Sequence, residues 1–455
     1  MRRIIVLGLL FMGMQLIQPL GARDYGSQTL LAFGFLILAA YAAGELAVTV
    51  RVPKLVGYIA AGVVFGPSAL VTVHAESISD LAPVSSLAIA LIAFLAGAEL
   101  RWGDVRARGL AMLRILAVEL TLGLIVISGF LVLLRDYVPF LRGSPTVQVI
   151  AFSVVFASIA VVHSPAVAMA LLSETRASGP LARTSLGVVL ISDVVIVLLL
   201  TATLALARSL VPPGGTDVPA LTIGAVGWEV GGAVLIGAAL GALVALYLRF
   251  VHRELFLFAM LVAFFGSEIA RLVHVEPLLT LIAAGFVTEN FTEASHGAEL
   301  REAMERAAAP VFVVFFALAG AQISLADLAQ LWPLVLPLAA LRAGAIWAGC
   351  RIGVRWSGSS GDEARTLRRH LWTGLLPQAG VAIGLAAVVA QTYPQRGGQI
   401  RSLFLALVAI NQALGPILFR RALDRSGETA ITNDEEVDAV AEDGVAALSS
   451  RSTRN

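Results

Sequence analysis

The sequence contains few charged residues, one cysteine and one lysine. Asp, Glu, Lys and Arg together make up 14% of its 455 residues, whereas soluble domains carry roughly 25%, and this difference excludes a soluble globular class. The formal net charge of +1 excludes an extended nucleic-acid-binding surface. Because Cys350 has no second cysteine to pair with, an intrachain disulfide is also excluded, and nothing in the sequence suggests redox chemistry.

Long apolar runs occupy most of the chain instead. Hydrophobic residues account for 58% of it, and a helix needs about 20 apolar residues to cross roughly 30 Å of hydrocarbon. The pattern predicts an all-α polytopic membrane protein with 13 or 14 transmembrane helices. The predicted spans are 4–20, 29–50, 53–71, 83–101, 107–135, 147–173, 181–206, 221–250, 254–273, 276–290, 308–326, 329–354, 369–391 and 400–421.

Both ends of the chain lie outside the central spans. Residues 1–22 are either a cleaved signal peptide or an extra N-terminal helix, and the polar, acidic stretch 424–455 is predicted to be a disordered tail. Arginines are concentrated in every second connecting segment, and positive charge marks the cytoplasmic side. We therefore expect a multi-pass protein of the inner (plasma) membrane with a cytoplasmic C-terminus.

Two short motifs recur with the same displacement of 223 residues. Ile-Ala-Ala-Gly at 59–62 recurs at 282–285, and Leu-Ala-Gly-Ala at 95–98 recurs at 318–321. The copies are an odd number of spans apart, so the two halves have opposite orientation, which is the inverted-repeat plan of many transporters. We predict repeat 1 at 29–206, a linking helix at 221–250 and repeat 2 at 254–421.

Three charged residues lie in the middle of predicted spans, where each costs roughly 2.5–3.5 kcal/mol on insertion scales. They are Glu119, Asp193 and Arg342. One arginine can neutralise only one carboxylate, so an acid remains to bind a proton or a hard cation through oxygen ligands. The alternative is a purely structural ion-pair set, and Glu119 with Arg342 is the candidate pair. Glu45 and Glu268 coincide at the same displacement; they lie near helix ends, where snorkelling to the interface explains them at least as well as a functional role.

Prolines inside two predicted spans indicate broken helices, which are tolerated at membrane depth only around a cavity. The first break contains Ser158, His163, Ser164 and Pro165, and the second contains Pro377 and Gln378. Backbone carbonyls freed there could bind an ion near Asp193; the alternative is a pair of kinks that only shape packing. His163 is either a hydrogen-bonded pore-lining residue or a proton relay.

Several motifs together resemble the monovalent cation:proton antiporter-2 family over roughly residues 29–422. They are Val52 to Gly62 with Gly66-Pro67, Phe94 to Leu100, His163 to Val167, Arg176 to Leu181, Pro277 to Leu279 with Ala284-Gly285, and Asn411 to Pro416. The resemblance implies a sodium/proton-exchanger fold: a dimerisation domain, and a mobile core domain with two crossed, discontinuous helices. It implies a homodimer in membrane lipid, and no enzyme activity, cofactor or resident metal.

The resemblance also implies that Asp193 binds the transported ion and the proton. Where the family commonly shows an Asp-Asp or Asn-Asp pair, this chain has Ser192-Asp193, so Ser192 contributes at most a hydroxyl ligand. We expect antiport of Na⁺ or K⁺ for H⁺ by alternating access, electroneutral if Arg342 keeps Glu119 ionised. An organic-anion carrier and a transport-dead sensor on the same scaffold are the alternatives.

Overall fold

The structure is a computed structural model, and it is all-helical over the residues it describes, with no β-strand among them. The described residues are 8, 10–12, 14, 25–50, 52–98, 100–211, 223–251, 254–292, 294–378, 385, 386, 388–390 and 392–429. Most of the first predicted span, and residues 430–455 of the predicted tail, therefore lie outside the described part.

Fifteen helices of six residues or more are described, and we number them in chain order. They are α1 (Tyr25–Thr49), α2 (Lys54–Phe65), α3 (Ala75–Asp80), α4 (Ala82–Ala98), α5 (Trp102–Leu133), α6 (Thr146–Ala160), α7 (Pro165–Thr175), α8 (Pro180–Leu210), α9 (Ile223–Phe250), α10 (Leu255–Leu272), α11 (Pro277–Phe291), α12 (Ala294–Ala321), α13 (Leu325–Trp356), α14 (Gly361–Gly374) and α15 (Pro394–Arg425).

Most of the described helices correspond to predicted spans, whereas α3 lies between two of them and α14 overlaps only the start of the span predicted at 369–391. Seven segments are long and apolar enough to cross a membrane by length and composition, and four shorter apolar helices accompany them. The seven are Thr29–Thr49, Arg106–Leu133, Thr146–Thr175, Pro180–Leu210, Val230–Phe250, Leu325–Trp356 and Gln395–Arg425. The multi-pass, all-helical prediction is thereby confirmed.

Two of the predicted spans are interrupted. The first is divided into α6 and α7 by residues 161–164, because Pro165 cannot continue a helix but suits the first position of a new one. Ser164 caps α7, its Oγ accepting the amide N–H of Val167 at 3.3 Å. In the second, α14 ends at Gly374, ahead of Pro377.

The helices form two bundles with few contacts between them. Bundle 1 contains α1–α4 and α9–α12, and bundle 2 contains α5–α8 and α13–α15. Each bundle draws helices from both halves of the chain. The crossing of the two interrupted helices lies within bundle 2.

Glycines of the two recurring motifs lie against the backbone of the opposite half of the chain. A Cβ atom added at any of four glycines would overlap a carbonyl oxygen. The pairs are Gly62 with Ala317, Gly285 with Phe94, Gly320 with Ile59, and Gly97 with Ile282. Displacing both members of a pair by 223 residues gives another pair of the set. Such reciprocity is what a two-fold relation between two inverted halves requires.

The first residues of the predicted tail, 424–429, are among the described residues. Helix α15 continues to Arg425, and the following segment turns back onto the start of α8. The Glu428 carboxylate accepts the amide N–H groups of Leu181 and Ala182, both at 2.8 Å, and its side chain is buried. A carboxylate is favourable there because the first N–H groups of a helix lack intrahelical acceptors.

Candidate functional site

Arg342 joins the two interrupted helices. It lies on α13 and is completely buried. Its Nε and Nη2 donate to the carbonyl oxygens of Ala160 and Val162, at 2.6 and 2.9 Å, and its Nη1 donates to that of Leu376, at 2.8 Å. The first two carbonyls belong to the end of α6 and the third follows α14, so a single guanidinium satisfies both breaks. The rigid fork of Arg suits this task.

Two amide side chains complete the crossing. Gln378 Nε2 donates to the Ala160 carbonyl at 2.9 Å, and Gln378 Oε1 accepts from Asn411 Nδ2 at 2.7 Å. All three residues are buried. The neighbouring Gln412 is buried too, yet its amide oxygen and nitrogen have no hydrogen-bond partner. Sequence reasoning used Asn411 and Gln412 only as part of a family motif and assigned them no role.

His163 bridges the first break to the second. Its Nδ1 lies 2.7 Å from the carbonyl oxygen of Leu375, and its Nε2 lies 3.2 Å from Glu119 Oε2. A carbonyl only accepts, so Nδ1 carries a proton, and the hydrogen bond to Glu119 requires one further proton shared between the two side chains. Glu119 Oε1 has no partner. This buried pair is therefore a second place that can hold a proton.

The direct ion pair predicted between Glu119 and Arg342 is not formed. Arg342 instead donates to backbone carbonyls, and Glu119 contacts His163. The physical reason is that each break leaves buried carbonyls without helical donors, and burying such groups unpaired costs about 1–3 kcal/mol each. The helices themselves are close, since a Cβ atom at Gly349 of α13 would lie 2.6 Å from the Cα of Glu119.

Asp193 lies on α8 and takes no part in these hydrogen bonds. Both of its carboxylate oxygens are buried, and neither has a hydrogen-bond partner among the described residues. The hydroxyl of Ser192 donates to the Val189 carbonyl at 2.6 Å, so its proton is used within the helix. Glu276, which caps the start of α11 in bundle 1, interacts with Asp193 electrostatically. The sequence analysis did not select Glu276, because an acidic residue directly before a proline is typical of the start of a helix and needs no functional explanation.

The other predicted ligands already have structural roles. Ser158 Oγ donates to the Val155 carbonyl at 2.8 Å and accepts from Thr203 Oγ1 at 3.1 Å. Pro165 is the first residue of α7, while Pro377 packs against Gly415 of α15. The structure thus gathers Arg342, Glu119 and His163 at the crossing with Gln378, whereas Ser164 caps α7 and Ser158 joins α6 to α8.

A cavity of about 1540 Å³ opens between the two bundles, and we call it the vestibule. Gly187 and Ile191 of α8 line it, so it reaches within two residues of Asp193 along that helix. Apolar side chains form much of its wall. Its charged lining residues are Lys54, Arg101, Arg108, Glu174, Arg176 and Arg183. The vestibule is therefore on the arginine-rich side of the protein.

Comparisons with known proteins agree with the all-helical membrane fold. The family model described as sodium/hydrogen exchanger, transmembrane, matches residues 34–423. Among solved structures, the chain is similar to the sodium proton antiporter MjNhaP1 from Methanocaldococcus jannaschii at pH 8, with 16% identity, a TM-score of 0.64, and coverage of 88% of this chain and 97% of that chain. An electron-microscopy structure of the same antiporter gives 14% identity, a TM-score of 0.63, and coverage of 87% and 94%. Curated protein sequences gave no match.

Proposed function

Because the chain belongs to the sodium/hydrogen exchanger family, we propose that it exchanges Na⁺ or K⁺ for protons by alternating access, with Asp193 as the shared binding group. One observation carries this assignment. Both carboxylate oxygens of Asp193 are buried on a membrane helix without a hydrogen-bond donor. A bare buried carboxylate is unfavourable, and binding either a proton or a monovalent cation neutralises it.

Competition between these two ligands is the basis of exchange. A proton binds one carboxylate oxygen covalently, whereas a hard cation needs several oxygen ligands around it. Asp193 supplies two oxygens, and Ser192 offers the lone pairs of a hydroxyl whose proton is already donated. The two ligands need the same anionic oxygens, so they cannot be bound together. On each side of the membrane, Asp193 then binds whichever of the two ligands is in excess there.

Alternating access is supported by the division into two bundles. Bundle 2 carries Asp193 and both interrupted helices, while bundle 1 contributes the opposite wall of the vestibule. Rocking of one bundle against the other would expose Asp193 first to the vestibule side and then to the side of Glu276. The reciprocal glycine contacts support an inverted repeat, which is the usual basis for such a motion.

We further propose an electroneutral cycle of one cation for one proton. Arg342 is fixed by three carbonyls, and Glu119 and His163 share a proton, which leaves Asp193 as the midplane carboxylate free to change ligand. The loaded carrier then has the same charge in both forms. Proteoliposomes clamped at different potentials test this: rates independent of potential are expected, and a transport current would mean that the Glu119–His163 proton also moves.

The setting of the protein is part of the proposal. The arginine distribution supports an inner-membrane protein with a cytoplasmic C-terminus, and the vestibule would then open to the cytoplasm. We propose that the protein forms a homodimer, because the resemblance to the antiporter family implies a dimerisation domain. The choice between Na⁺ and K⁺ is made by the flux experiment that follows.

Cation-dependent proton flux in proteoliposomes tests the function. Asp193→Asn retains the size of the side chain but removes the titratable anion, so flux with either cation should vanish. Asp136→Asn is the matched control, since Asp136 is largely exposed in a loop. Near-normal exchange by folded Asp193→Asn protein would overturn the assignment. Exchange of organic anions without cation-dependent flux would favour the anion-carrier alternative, and no transport of either kind would favour the sensor.

A further inference from the structure

Glu174 connects the two bundles beside the vestibule. It lies near the end of α7 in bundle 2, and it lines the cavity. Its Oε1 and Oε2 both accept the backbone N–H of Lys54, at 3.1 and 3.2 Å, and Lys54 is the first residue of α2 in bundle 1. Its Oε1 also accepts from Arg420 Nη1 of α15, at 3.2 Å. The carboxylate thus has one partner in each bundle.

The start of α2 is suited to receive this carboxylate. The first N–H groups of a helix have no intrahelical acceptor, and the partial positive charge there attracts anions. Pro53 is at the cap position of α2 and makes no side-chain hydrogen bond. Glu174 therefore supplies, from the other bundle, the acceptor that the sequence of α2 lacks.

The charged and titratable groups around Glu174 come from three further helices. From α2 they are Lys54 and Tyr58, from α1 Glu45, and from α15 Arg420. The Lys54 ammonium forms an ion pair with Glu45 at 2.5 Å, and Arg420 also reaches Asp424 at 3.7 Å. The side chain of Glu174 is 15% exposed, so protons reach it from vestibule water.

We propose that Glu174 is a proton-released clasp that holds bundle 2 against bundle 1 in this conformation. This inference rests on the alternating access proposed above, in which the bundles must move past each other. Glu174 is a positioning residue: it contacts no transported ion, and it acts through the bundle that carries Asp193. Bundle movement requires its carboxylate to leave the Lys54 N–H.

Protonation of the Glu174 carboxylate would release the clasp. Ionised Glu174 offers two anionic acceptors to the Lys54 N–H and a charge to Arg420, and charge-assisted hydrogen bonds are roughly twice as strong as neutral ones. Protonated Glu174 has no charge and one good acceptor. Acidification on the vestibule side therefore weakens the clasp and frees the bundles, so the set point of exchange on that side depends on Glu174.

Distances between the bundles test the clasp independently of transport. Spin labels at Val50 of bundle 1 and Arg365 of bundle 2, both exposed, report bundle separation in a Cys350→Ala background. We expect the distance distribution of the otherwise unaltered protein to change over a pH series. Glu174→Gln should show the acidic distribution at every pH, with the loss of the pH response as its signature.

A matched control removes a carboxylate that does not join the bundles. Glu363→Gln breaks the 2.7 Å ion pair of Glu363 with Arg108, which lies within bundle 2, and it should titrate like the parent protein. Glu174→Asp retains the charge and should keep part of the pH response. A Glu174→Gln protein that titrates like the parent, or a Glu363→Gln protein that loses its response equally, would overturn the proposal.

Flux measurements separate this inference from the proposed function. In Glu174→Gln, cation-dependent flux should persist and lose most of its dependence on vestibule-side pH. In the Asp193→Asn background, flux should be absent while the labels still respond to pH through Glu174. Retained flux in Asp193→Asn would refute the ion-binding assignment alone, whereas an unaltered pH profile in Glu174→Gln would refute the clasp alone.

Discussion

Removal of Arg342 tests the hydrogen bonds that join the two interrupted helices. Arg342→Met keeps an apolar stem of similar length and deletes all three donors. The carbonyls of Val162 and Leu376 then lose the donor that Arg342 supplied, whereas Ala160 keeps its hydrogen bond from Gln378. Each orphaned buried carbonyl costs about 1–3 kcal/mol. Two of them give an expected loss of about 2–6 kcal/mol in the free energy of unfolding.

A double-mutant cycle makes the test specific for the crossing. Arg342 and Gln378 both donate to the Ala160 carbonyl, so either single substitution leaves this oxygen with one donor. Arg342→Met with Gln378→Met leaves it with none. The double variant should therefore lose about 1–3 kcal/mol more than the sum of the two single losses.

Reversible unfolding by SDS from mixed micelles provides the free energies. Arg355→Met is the control, because Arg355 is on the same helix but exposed, and surface changes stay within about 0.5 kcal/mol. A loss for Arg342→Met no larger than the control value would refute the reasoning. Strict additivity of the Arg342 and Gln378 losses would show that they do not share the Ala160 oxygen.

Three other predictions concern separate parts of the molecule. Gly62→Ala and Gly285→Ala, which the displacement of 223 residues relates, should each lower the free energy of unfolding by about 1–3 kcal/mol, because the added methyl group overlaps a backbone carbonyl of the other half. Gly129→Ala, in open space, should not, and clearly unequal losses for Gly62 and Gly285 would count against reciprocal packing. Glu428→Ala should lower the unfolding free energy by about 0.5–2 kcal/mol in the same SDS assay, because it uncaps α8. His163→Gln should keep cation-dependent proton flux, and its complete loss in folded protein would assign the exchanged proton to His163.

The fold was largely predictable from the sequence because the membrane imposes simple rules on it. Spans of about 20 apolar residues and breaks at proline follow from the thickness of the hydrocarbon and the missing amide hydrogen. The break before Pro165 was predicted for this reason and is present. The motifs displaced by 223 residues identified the glycines that pack against the opposite half, although the sequence did not indicate which motif meets which.

The partners of the midplane charges were less predictable. Glu119 and Arg342 were selected because charged residues are scarce inside the predicted spans. Their opposite charges suggested that they form a pair. The sequence does not show where the unpaired backbone carbonyls of an interrupted helix lie. Such carbonyls compete with the Glu119 carboxylate for the buried Arg342 guanidinium, and they bind it because they have no other donor. Glu174 was missed for a similar reason. Its partner in bundle 1 is the backbone N–H of Lys54, and the residue type does not indicate such a backbone contact.

The hydrogen bonding of the buried charges ranks them by their freedom to exchange a ligand. Arg342 has three carbonyl acceptors and cannot lose its proton in a protein, so it is a fixed charge. Glu119 shares one proton with His163, and loss of that proton would leave the lone pair of His163 Nε2 facing the Glu119 carboxylate, which is unfavourable. Asp193 has no hydrogen-bond partner on either oxygen, so exchanging a proton for a cation there disrupts no existing hydrogen bond. The exchange proposed at Asp193 would therefore leave the crossing intact, and the fixed charge of Arg342 could remain in place during the proposed bundle movement.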